Sequence, residues 1–582
     1  MDNCQGLKNG YKCVLGSKKF KVVSLTSAGI GLSYCFYKQI TTINWGIDET
    51  ALLKQLESGK QNEKLDALEK IIEQFKKNKK KKKTLFHENF KTKAISHIAK
   101  LIVSQDLVIG GKASRVLSYF LTNQIYYEKF VSLQGIERLI LGIQLNDPEL
   151  QKFEAQNLLN HLKLLYKLII LTQKDAVLGL EKIGGITLLG VLLKIENTPI
   201  KVKISLLKCL TWSCEYNKMV PILLNKNKLI PTVINFLDSS NLKLVEYSIS
   251  IISDFVEISE LSFQLNNPEM ITKLYELTTK TDNEQITCNS SLALSKLFEQ
   301  YPQSQMILLK KPEFFELILN KFIKSKNNNL MYCGLRLLEV LAKSSISNKI
   351  LIRQAEFIPE LSRLIFIRSI NQKLLQQAIA TIKELTVNST KTTNIDFFDN
   401  KFFSKIISLF TNCKDPKMRS NLVIIIGNFS CTKEASRLEL LNRGALPLLV
   451  KLLEITKDVN LEKNLVCTFA NLLESTELQM PMLKCGGIGL MIRYINSEDI
   501  LTQYGALIGV QNLCRKRHEN QTQWSDIINY LVSLRIVNRL IEILNSKNDK
   551  IKPLAQDTLK LLSEHPIVNQ QIQQIMSKQQ YY

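Results

Sequence analysis

Apolar residues recur at helical spacing along most of the chain. In the segment 62–75, NEKLDALEKIIEQF, the apolar residues that share one helix face are Leu65, Leu68, Ile71, Ile72 and Phe75. Strand-like alternation bounded by turns is hard to find, and the 582 residues include only 23 glycines and 13 prolines. The pattern therefore predicts an all-α fold.

One helical segment is repeated with small changes near the C-terminal end. Its three copies are SNLVIIIGNFS (420–430), KNLVCTFANLLES (463–475) and TQYGALIGVQNLC (502–514). Each copy carries an asparagine, and these asparagines, 43 and then 41 residues apart, are Asn428, Asn471 and Asn512. Two related segments lie between the copies, NRGALPLLVKLL (442–453) and KCGGIGLMIRYI (484–495). A period of about 42 residues indicates a repeat array, in which no single core has to hold all 582 residues.

The same two kinds of segment can be followed toward the N-terminus. Segments of the first kind lie at 112–123, 204–214, 246–259, 289–300, 334–344, 375–389 and 553–566. Segments of the second kind lie at 184–195, 229–240, 357–367 and 535–544. A proline recurs in the second kind, at Pro231, Pro359 and Pro447, where the first turn of a helix tolerates it. We count about eleven to twelve units.

This repeat resembles the armadillo repeat. In that family a short first helix leads through glycine into an apolar second helix, and a third helix ends in an Asn-Leu-Ser/Ala-like step. The resemblance implies a right-handed α-solenoid of about 11–12 repeats over residues 48–582, with the third helices lining a concave groove. By alignment with Asn428, the groove residues that the resemblance implies for partner binding are Thr211, Asp254, Lys296, Glu339, Glu384, Asn428, Asn471 and Asn512.

Nuclear import adaptors resemble this array in fold, but their peptide-clamping pattern is absent. That pattern places a Trp one turn before each Asn, whereas Ile424, Cys467 and Ile508 occupy this place here, and Trp212 stands alone beside Thr211. An import adaptor is therefore disfavoured. Two interpretations of the three C-terminal asparagines remain open: they bind the extended backbone of a partner, or they stabilise the turn after the helix.

The net charge of +24 invites a nucleic-acid interpretation. Of the 77 basic residues, however, 63 are Lys and 14 are Arg, and base or bidentate phosphate recognition favours Arg. We therefore consider nucleic acid a less favoured partner and single out local clusters. The basic patches are Lys76, Lys77, Lys79, Lys80, Lys81, Lys82 and Lys83 in one run, and Arg515, Lys516 and Arg517 in another.

Residues 1–47 do not resemble the repeats. They include a run of sixteen uncharged residues, 22–37, flanked by lysines. A full membrane span needs about 20 apolar residues, with about 17 at the low end. The run resembles the N-terminal anchors of armadillo proteins tethered to the mitochondrial outer membrane, which implies membrane contact through residues 18–38. A packed N-terminal cap and a cleaved targeting segment are the alternatives.

The lysine run at 76–83 also has several interpretations. The three interpretations are a solvated loop between helices, a nuclear import signal and a patch that binds anionic lipid. A basic patch beside a marginal hydrophobic segment would make a two-signal membrane attachment, which favours the lipid interpretation if residues 22–37 are an anchor.

The sequence offers little chemistry for catalysis or metal binding. The twelve cysteines include no CxxC pair, and several, such as Cys209, Cys288, Cys333 and Cys467, fall on apolar helix faces. They predict reduced core thiols and no zinc site. No two of the five histidines have metal-ligand spacing, and the glycines at 486, 487 and 489 do not fit a phosphate loop. We expect no enzyme activity and no cofactor.

The sequence thus predicts a non-enzymatic scaffold whose groove binds a protein partner. The alternatives are a structural subunit of a large mitochondrial or axonemal assembly, and a nucleic-acid-associated helical-repeat protein. The expected location faces the cytoplasm, at the mitochondrial outer membrane if residues 22–37 are an anchor and in the cytosol otherwise.

Overall fold

The fold is taken from a computed structural model. The residues that the structure describes are 48–78, 85–149, 154–311, 313–387, 400–432, 434–515, 521–546 and 549–579. The segment 1–47, the lysines 79–83 and the pair Lys516 and Arg517 lie outside the described residues. Within the described ranges, every regular element is a helix, and the helices belong to two compact units, Met1–Thr172 and Gln173–Tyr582.

The first unit contains seven helices in its described part. They are α1 (Glu49–Glu57), α2 (Gln61–Lys77), α3 (Glu88–Leu101), α4 (Leu107–Phe120), α5 (Gln124–Ser132), α6 (Gly135–Gln144) and α7 (Ala155–Thr172). Helix α4 packs between α2 and α7. Its Phe120 ring lies 5.9 Å from Phe75 and 5.8 Å from Phe86, in an aromatic core. The apolar face expected in segment 62–75 is buried there at Leu68 and Phe75.

The second unit is built from units of three helices. In chain order its helices are α8 (Lys174–Lys182), α9 (Gly185–Lys194), α10 (Ile200–Tyr216), α11 (Met219–Lys226), α12 (Ile230–Asn235), α13 (Leu242–Phe255), α14 (Ser259–Leu265), α15 (Pro268–Lys280), α16 (Glu284–Gln300), α17 (Met306–Leu309), α18 (Glu313–Leu317), α19 (Asn328–Ser344), α20 (Ile346–Gln354), α21 (Phe357–Phe366), α22 (Gln372–Thr386), α23 (Asn400–Asn412), α24 (Pro416–Thr432), α25 (Glu434–Asn442), α26 (Leu446–Ile455), α27 (Val459–Leu472), α28 (Thr476–Lys484), α29 (Gly487–Arg493), α30 (Ile500–Cys514), α31 (Gln521–Ser533), α32 (Ile536–Asn545), α33 (Lys552–Leu562) and α34 (Pro566–Gln579). Short 3₁₀ or π segments extend some of them, at Phe236–Asp238, Pro302–Gln305, Ile318–Ile323 and Tyr494–Asn496.

Third helices form a continuous stack in the second unit. The stack runs through α10, α13, α16, α19, α22, α24, α27, α30 and α33, and each of these helices packs on the next. Each repeat therefore buries its apolar face against its sequence neighbours, which is how a solenoid is built. The predicted all-α solenoid is confirmed.

Side-chain caps fix where most third helices begin. From α13 to α30, an Asn or Asp side chain accepts a backbone N–H in the first turn, at Asn241, Asn283, Asn327, Asn371, Asp415, Asp458 and Asp499. Successive caps lie 41 to 44 residues apart. Such caps satisfy N–H groups that have no partner within the helix, so they set the register of the repeat.

The junction between first and second helices uses left-handed backbone. The residues there with positive φ are Gln134, Gly184, Lys228, Glu356, Gly444, Gly486 and Arg535. At Gly486 φ is +81°, as expected for the turn between the first and second helix. Four junctions therefore hold a residue whose Cβ disfavours this conformation.

Cationic side chains donate hydrogen bonds to the last carbonyls of several helices. The Lys321 Nζ donates to the carbonyls of Thr278 (2.8 Å), Thr279 (3.1 Å) and Thr281 (2.8 Å) at the end of α15. Comparable bonds join Lys349 to Val387, Arg353 to Leu385, Arg437 to Ser430 and Arg539 to Ile492. The last carbonyls of a helix lack intrahelical donors and carry partial negative charge, so a cation stabilises them.

Candidate partner-binding surface

The three C-terminal asparagines join consecutive third helices. The Nδ2 of Asn512 donates to the Ala470 carbonyl at 2.9 Å, and that of Asn471 donates to the Gly427 carbonyl at 3.1 Å. The Asn428 Nδ2 donates to the Thr386 hydroxyl at 3.1 Å. Each amide thus reaches back to the preceding repeat, so one of its two N–H donors is occupied within the stack.

Other groove residues from the sequence alignment also make contacts within the stack. The Thr211 hydroxyl donates to the Tyr247 carbonyl at 3.4 Å. Lys296 pairs with Glu257 at 2.6 Å, and Glu384, which is 8% exposed, pairs with Lys383 at 2.5 Å. Because of these contacts, fewer of the predicted groove residues have polar groups available to a partner.

Glu339 departs from the register of the other groove residues. It lies twelve residues after its helix cap, Asn327, whereas Asn428 lies thirteen residues after Asp415. Its carboxylate accepts hydrogen bonds from Arg336 and from Gln377, both at 2.7 Å. The side chain therefore connects α19 with α22.

Asp254 lies in a small acidic pocket of about 220 Å³, beside Glu215 and Glu257. Burial raises the pKa of the Asp254 carboxyl to about 7; Lys296 lowers it, while Glu257 and Glu215 raise it further. Part of the Asp254 population is therefore neutral near pH 7.

Two adjoining pockets lie nearer to the N-terminal ends of the third helices. The first, of about 300 Å³, is formed by α16, α19 and α22, and the second, of about 470 Å³, by α19, α22 and α24. Tyr332 and Lys373 line both pockets, so the two share a wall. We call these two pockets together the N-terminal pocket surface.

This surface carries exposed positive charge. Lys373 and Lys417 are exposed, and the Lys373 Nζ lies 4.6 Å from the centroid of the Tyr332 ring in a cation–π contact. Arg336 is paired with Glu299 and Glu339 in the same region. The helix N-termini that open onto the pockets add positive partial charge. Glu284 is exposed in the first pocket and opposes Lys373 there, whereas basic residues outnumber acidic ones in the second pocket. The second pocket therefore favours negatively charged groups.

Of the groove residues inferred from the sequence, Glu339 lines the second pocket. A signal for the other positions of this surface also exists in the chain. The groove residues were aligned by the repeated ends of the third helices, whereas most pocket residues follow the capped beginnings of these helices. Lys373 and Lys417 each lie two residues after a cap, at Asn371 and Asp415. A period of Asn or Asp near 42 residues was the signal that could have located these positions.

Only part of the two basic patches falls within the described residues. Lys76 and Lys77 occupy the last turn of α2, where cations complement the helix dipole, and Lys77 lies 3.5 Å from Glu73. Arg515 donates to the Gln511 side-chain oxygen at 3.1 Å.

Neither a metal site nor a membrane span stands out in the described ranges. No group of three or more His, Cys, Asp or Glu side chains there could hold a metal ion. No single described helix has both the length and the apolarity to cross a membrane, whereas α8 and α9, bent by 79°, meet that test only as a pair. The proposed anchor at 22–37 lies outside the described residues.

Comparison with known proteins supports the fold and nothing finer. No protein-family model and no curated protein sequence matches the chain. The crystal structure of an engineered protein is similar over 72% of this chain and 98% of its own, with 15% identity and a TM-score of 0.57. A chain from a study of a phosphorylation switch that controls the interaction between cadherin and β-catenin is similar over 89% of this chain and 99% of its own, with 13% identity and a TM-score of 0.62. The chain therefore has an armadillo-like α-solenoid fold.

Proposed function

We propose that this protein is a non-enzymatic scaffold that binds partner proteins along its third helices, with the N-terminal pocket surface as the principal contact. The observation that carries the proposal is the pair of adjoining pockets spanning four successive third helices, α16 to α24. A stacked array holds such a surface in place before a partner arrives, so little ordering of the scaffold opposes binding.

The charge of the surface indicates the kind of segment that would bind. Lys373 and Lys417 are exposed on neighbouring third helices, and each could oppose an acidic side chain of an extended partner segment. Tyr332 and Leu292, both half-buried, add apolar contact area beside the charges. The fold shared with a chain from the study of the cadherin–β-catenin interaction supports protein partners in general.

Site-specific photo-crosslinking tests this proposal. A photoreactive residue placed at Gln376, in the second pocket, should form covalent adducts with one recurring set of proteins in native extracts. The same residue at Leu448, which is 41% exposed on a second helix, serves as the matched control. A Lys373→Glu, Lys417→Glu double variant should remove the Gln376 adducts. Equal adducts from both positions, or none from Gln376, would contradict the proposal.

Membrane attachment is a second part of the proposal, and the sequence alone supports it. The uncharged run 22–37 and the lysine run 76–83 would provide one hydrophobic and one electrostatic contact. Attachment to the cytoplasmic face of the mitochondrial outer membrane predicts that the full chain remains in the pellet after alkaline carbonate extraction. A version starting at Asp48 should be released. Release of both versions would rule out the anchor and leave the scaffold proposal intact.

A further inference from the structure

Two cysteines from neighbouring repeats meet in the wall of the first pocket. Cys288 lies on α16 and Cys333 on α19, and these two third helices pack directly on each other. Both side chains line the pocket of about 300 Å³, and both pack with Phe322 in one apolar cluster. They are 6% and 2% exposed, whereas Glu284 and Lys373 at the rim of the pocket are exposed. The thiols are thus shielded from bulk solvent but border an open cavity.

The two thiols share a hydrogen bond that makes them unequal. The bond from Cys333 lowers the pKa of the Cys288 thiol, against the opposing effects of burial and of Glu284. The same bond raises the pKa of the Cys333 thiol well above its usual range, and burial adds to this. Cys288 is also the more exposed of the two thiols, at 6% against 2%, so the first attack on an oxidant is assigned to Cys288.

We propose that Cys288 and Cys333 form a redox site that a small peroxide converts reversibly to a disulfide. The Cys288 thiolate attacks one peroxide oxygen, the O–O bond breaks, and a sulfenic acid and one water are produced. The Cys333 sulfur then attacks the sulfenic sulfur, the S–O bond breaks, and a second water leaves as the S–S bond forms. The two thiols lose two electrons and two protons, and the peroxide is reduced to two waters.

The surroundings distinguish this pair from the other described cysteines. Cys209, Cys214 and Cys514 are buried, and burial raises the pKa of Cys214 and Cys514. Cys214 lines the acidic pocket beside Asp254, but it is the single thiol among the described residues that line that pocket. Cys431 is exposed. Only Cys288 and Cys333, among the described thiols, combine a shared hydrogen bond with a cavity that a small oxidant can enter.

The disulfide would tie two neighbouring repeats together at the candidate binding surface. A covalent link between α16 and α19 fixes the wall that both third helices contribute to the first pocket. Any change in partner binding on oxidation rests on the proposed function. Formation of the bond does not, so the redox site and the scaffold role can fail separately.

Peptide mapping of the full chain tests the redox site. The reduced protein is treated with limiting hydrogen peroxide, free thiols are alkylated, and tryptic peptides are analysed without reduction. We expect the peptides 281–296 and 327–336, each with a single cysteine, to appear linked and two hydrogens lighter than their sum. Dithiothreitol should separate them. Alkylation of both cysteines at a peroxide dose that fully oxidises the exposed Cys431 would overturn the proposal.

Single variants test the order of attack. In Cys333→Ser, dimedone should trap a sulfenic acid at Cys288, whereas Cys288→Ser should leave Cys333 unlabelled. Cys467→Ser, which alters a half-buried thiol on the third helix α27, is the matched control and should keep the linked peptides. Equal dimedone labelling of Cys333 in Cys288→Ser would contradict the assigned roles. If a variant fails to fold, the mapping of the unaltered chain still decides whether the disulfide forms.

Discussion

At the scale of single residues, the junctions between first and second helices store backbone strain. The left-handed conformation costs a residue with a Cβ about 1–2 kcal/mol, and glycine avoids that cost. Glu356 has φ of +60° and is exposed, whereas Gly486 has φ of +81° and no atom within 4 Å of an added Cβ. Glu356 therefore bears the cost of the left-handed conformation, whereas Gly486 avoids it.

Substitution at these junctions should change stability in opposite directions. We expect Glu356→Gly to raise the free energy of unfolding by about 0.5–1 kcal/mol and Gly486→Ala to lower it by about 1 kcal/mol. Neither change removes an ion pair that the structure assigns to these residues. Urea unfolding of the two variants beside the unaltered chain measures both effects. A loss of stability in Glu356→Gly would show that its side chain matters more than its backbone.

His161 is the other residue with a clear energetic consequence. Its ring is buried, with Nδ1 2.7 Å from the Ser114 hydroxyl and Nε2 3.3 Å from the Asn146 side-chain nitrogen. Because the Asn146 amide donates, Nε2 must accept, and the neutral ring carries its proton on Nδ1. Burial lowers the pKa of His161 to about 4.

Acid should therefore destabilise the protein through His161. Unfolded histidine binds a proton near pH 6.5, while the folded ring stays neutral until about pH 4, so the unfolded state gains protons first. This contribution is fully present above pH 6.5 and is lost as the pH falls toward 4, up to about 3 kcal/mol. Thermal unfolding between these values, compared with His161→Gln, isolates the effect. Parallel pH profiles for the two proteins would refute it.

At the scale of secondary-structure elements, one asparagine links two third helices. The Asn512 side chain is 7% exposed, and its Nδ2 donates to the Ala470 carbonyl in the last turn of α27. Carbonyls in that turn have no intrahelical donor. Removing the amide leaves a buried acceptor without its partner, which is more costly than losing an exposed hydrogen bond.

Asn512→Ala should therefore destabilise the chain by about 1–3 kcal/mol. Asn460→Ala, which alters an exposed residue in the first turn of α27, is the matched control and should change stability by less than about 0.5 kcal/mol. Chemical denaturation distinguishes the two. Equal effects would mean that the Asn512 bond contributes little, and a role in partner contact would become the better explanation of that residue.

These elements also show how far the sequence could predict the structure. The periodic apolar segments located the third helices, because helical spacing and a repeat near 42 residues are both visible in the chain; segment 502–514 became Ile500–Cys514. The contacts of Asn512 were not predictable, since they depend on how closely two distant segments pack. Pro481 inside α28 was also unforeseen, because local propensity argues against it. Except for Glu339, the residues of the pockets near Lys373 were not predicted, because these pockets arise only between neighbouring helices.

At the scale of the whole molecule, the second unit is a linear array in which each repeat packs on its sequence neighbours. Each third helix packs on the one before and the one after, as α30 does on α27 and α33. Stability in such an array is approximately a sum of repeat and interface contributions, so damage in one repeat spreads only as far as its neighbours.

Hydrogen exchange should reveal this limited spread. In Asn512→Ala, we expect amide protection to fall in α27, α30 and α33 and to remain unchanged in α10 and α13. Mass spectrometry of peptic peptides from the second unit measures both regions in one experiment. Equal loss of protection throughout the second unit would instead show that its repeats unfold together.

The cations at the helix ends change what the formal charge of +24 means. The ammonium group of Lys321 donates to three carbonyls at the end of α15, and burial lowers the pKa of this lysine. Such a side chain completes a helix, and its ammonium group is already hydrogen-bonded to carbonyl oxygens, so it is poorly placed to pair directly with a polyanion. Neutralising Lys321, for instance by acetylation, would therefore weaken the fold of its repeat more than its attraction for anions. In a protein of this kind, part of the basic composition serves to satisfy the carbonyl groups at helix C-termini.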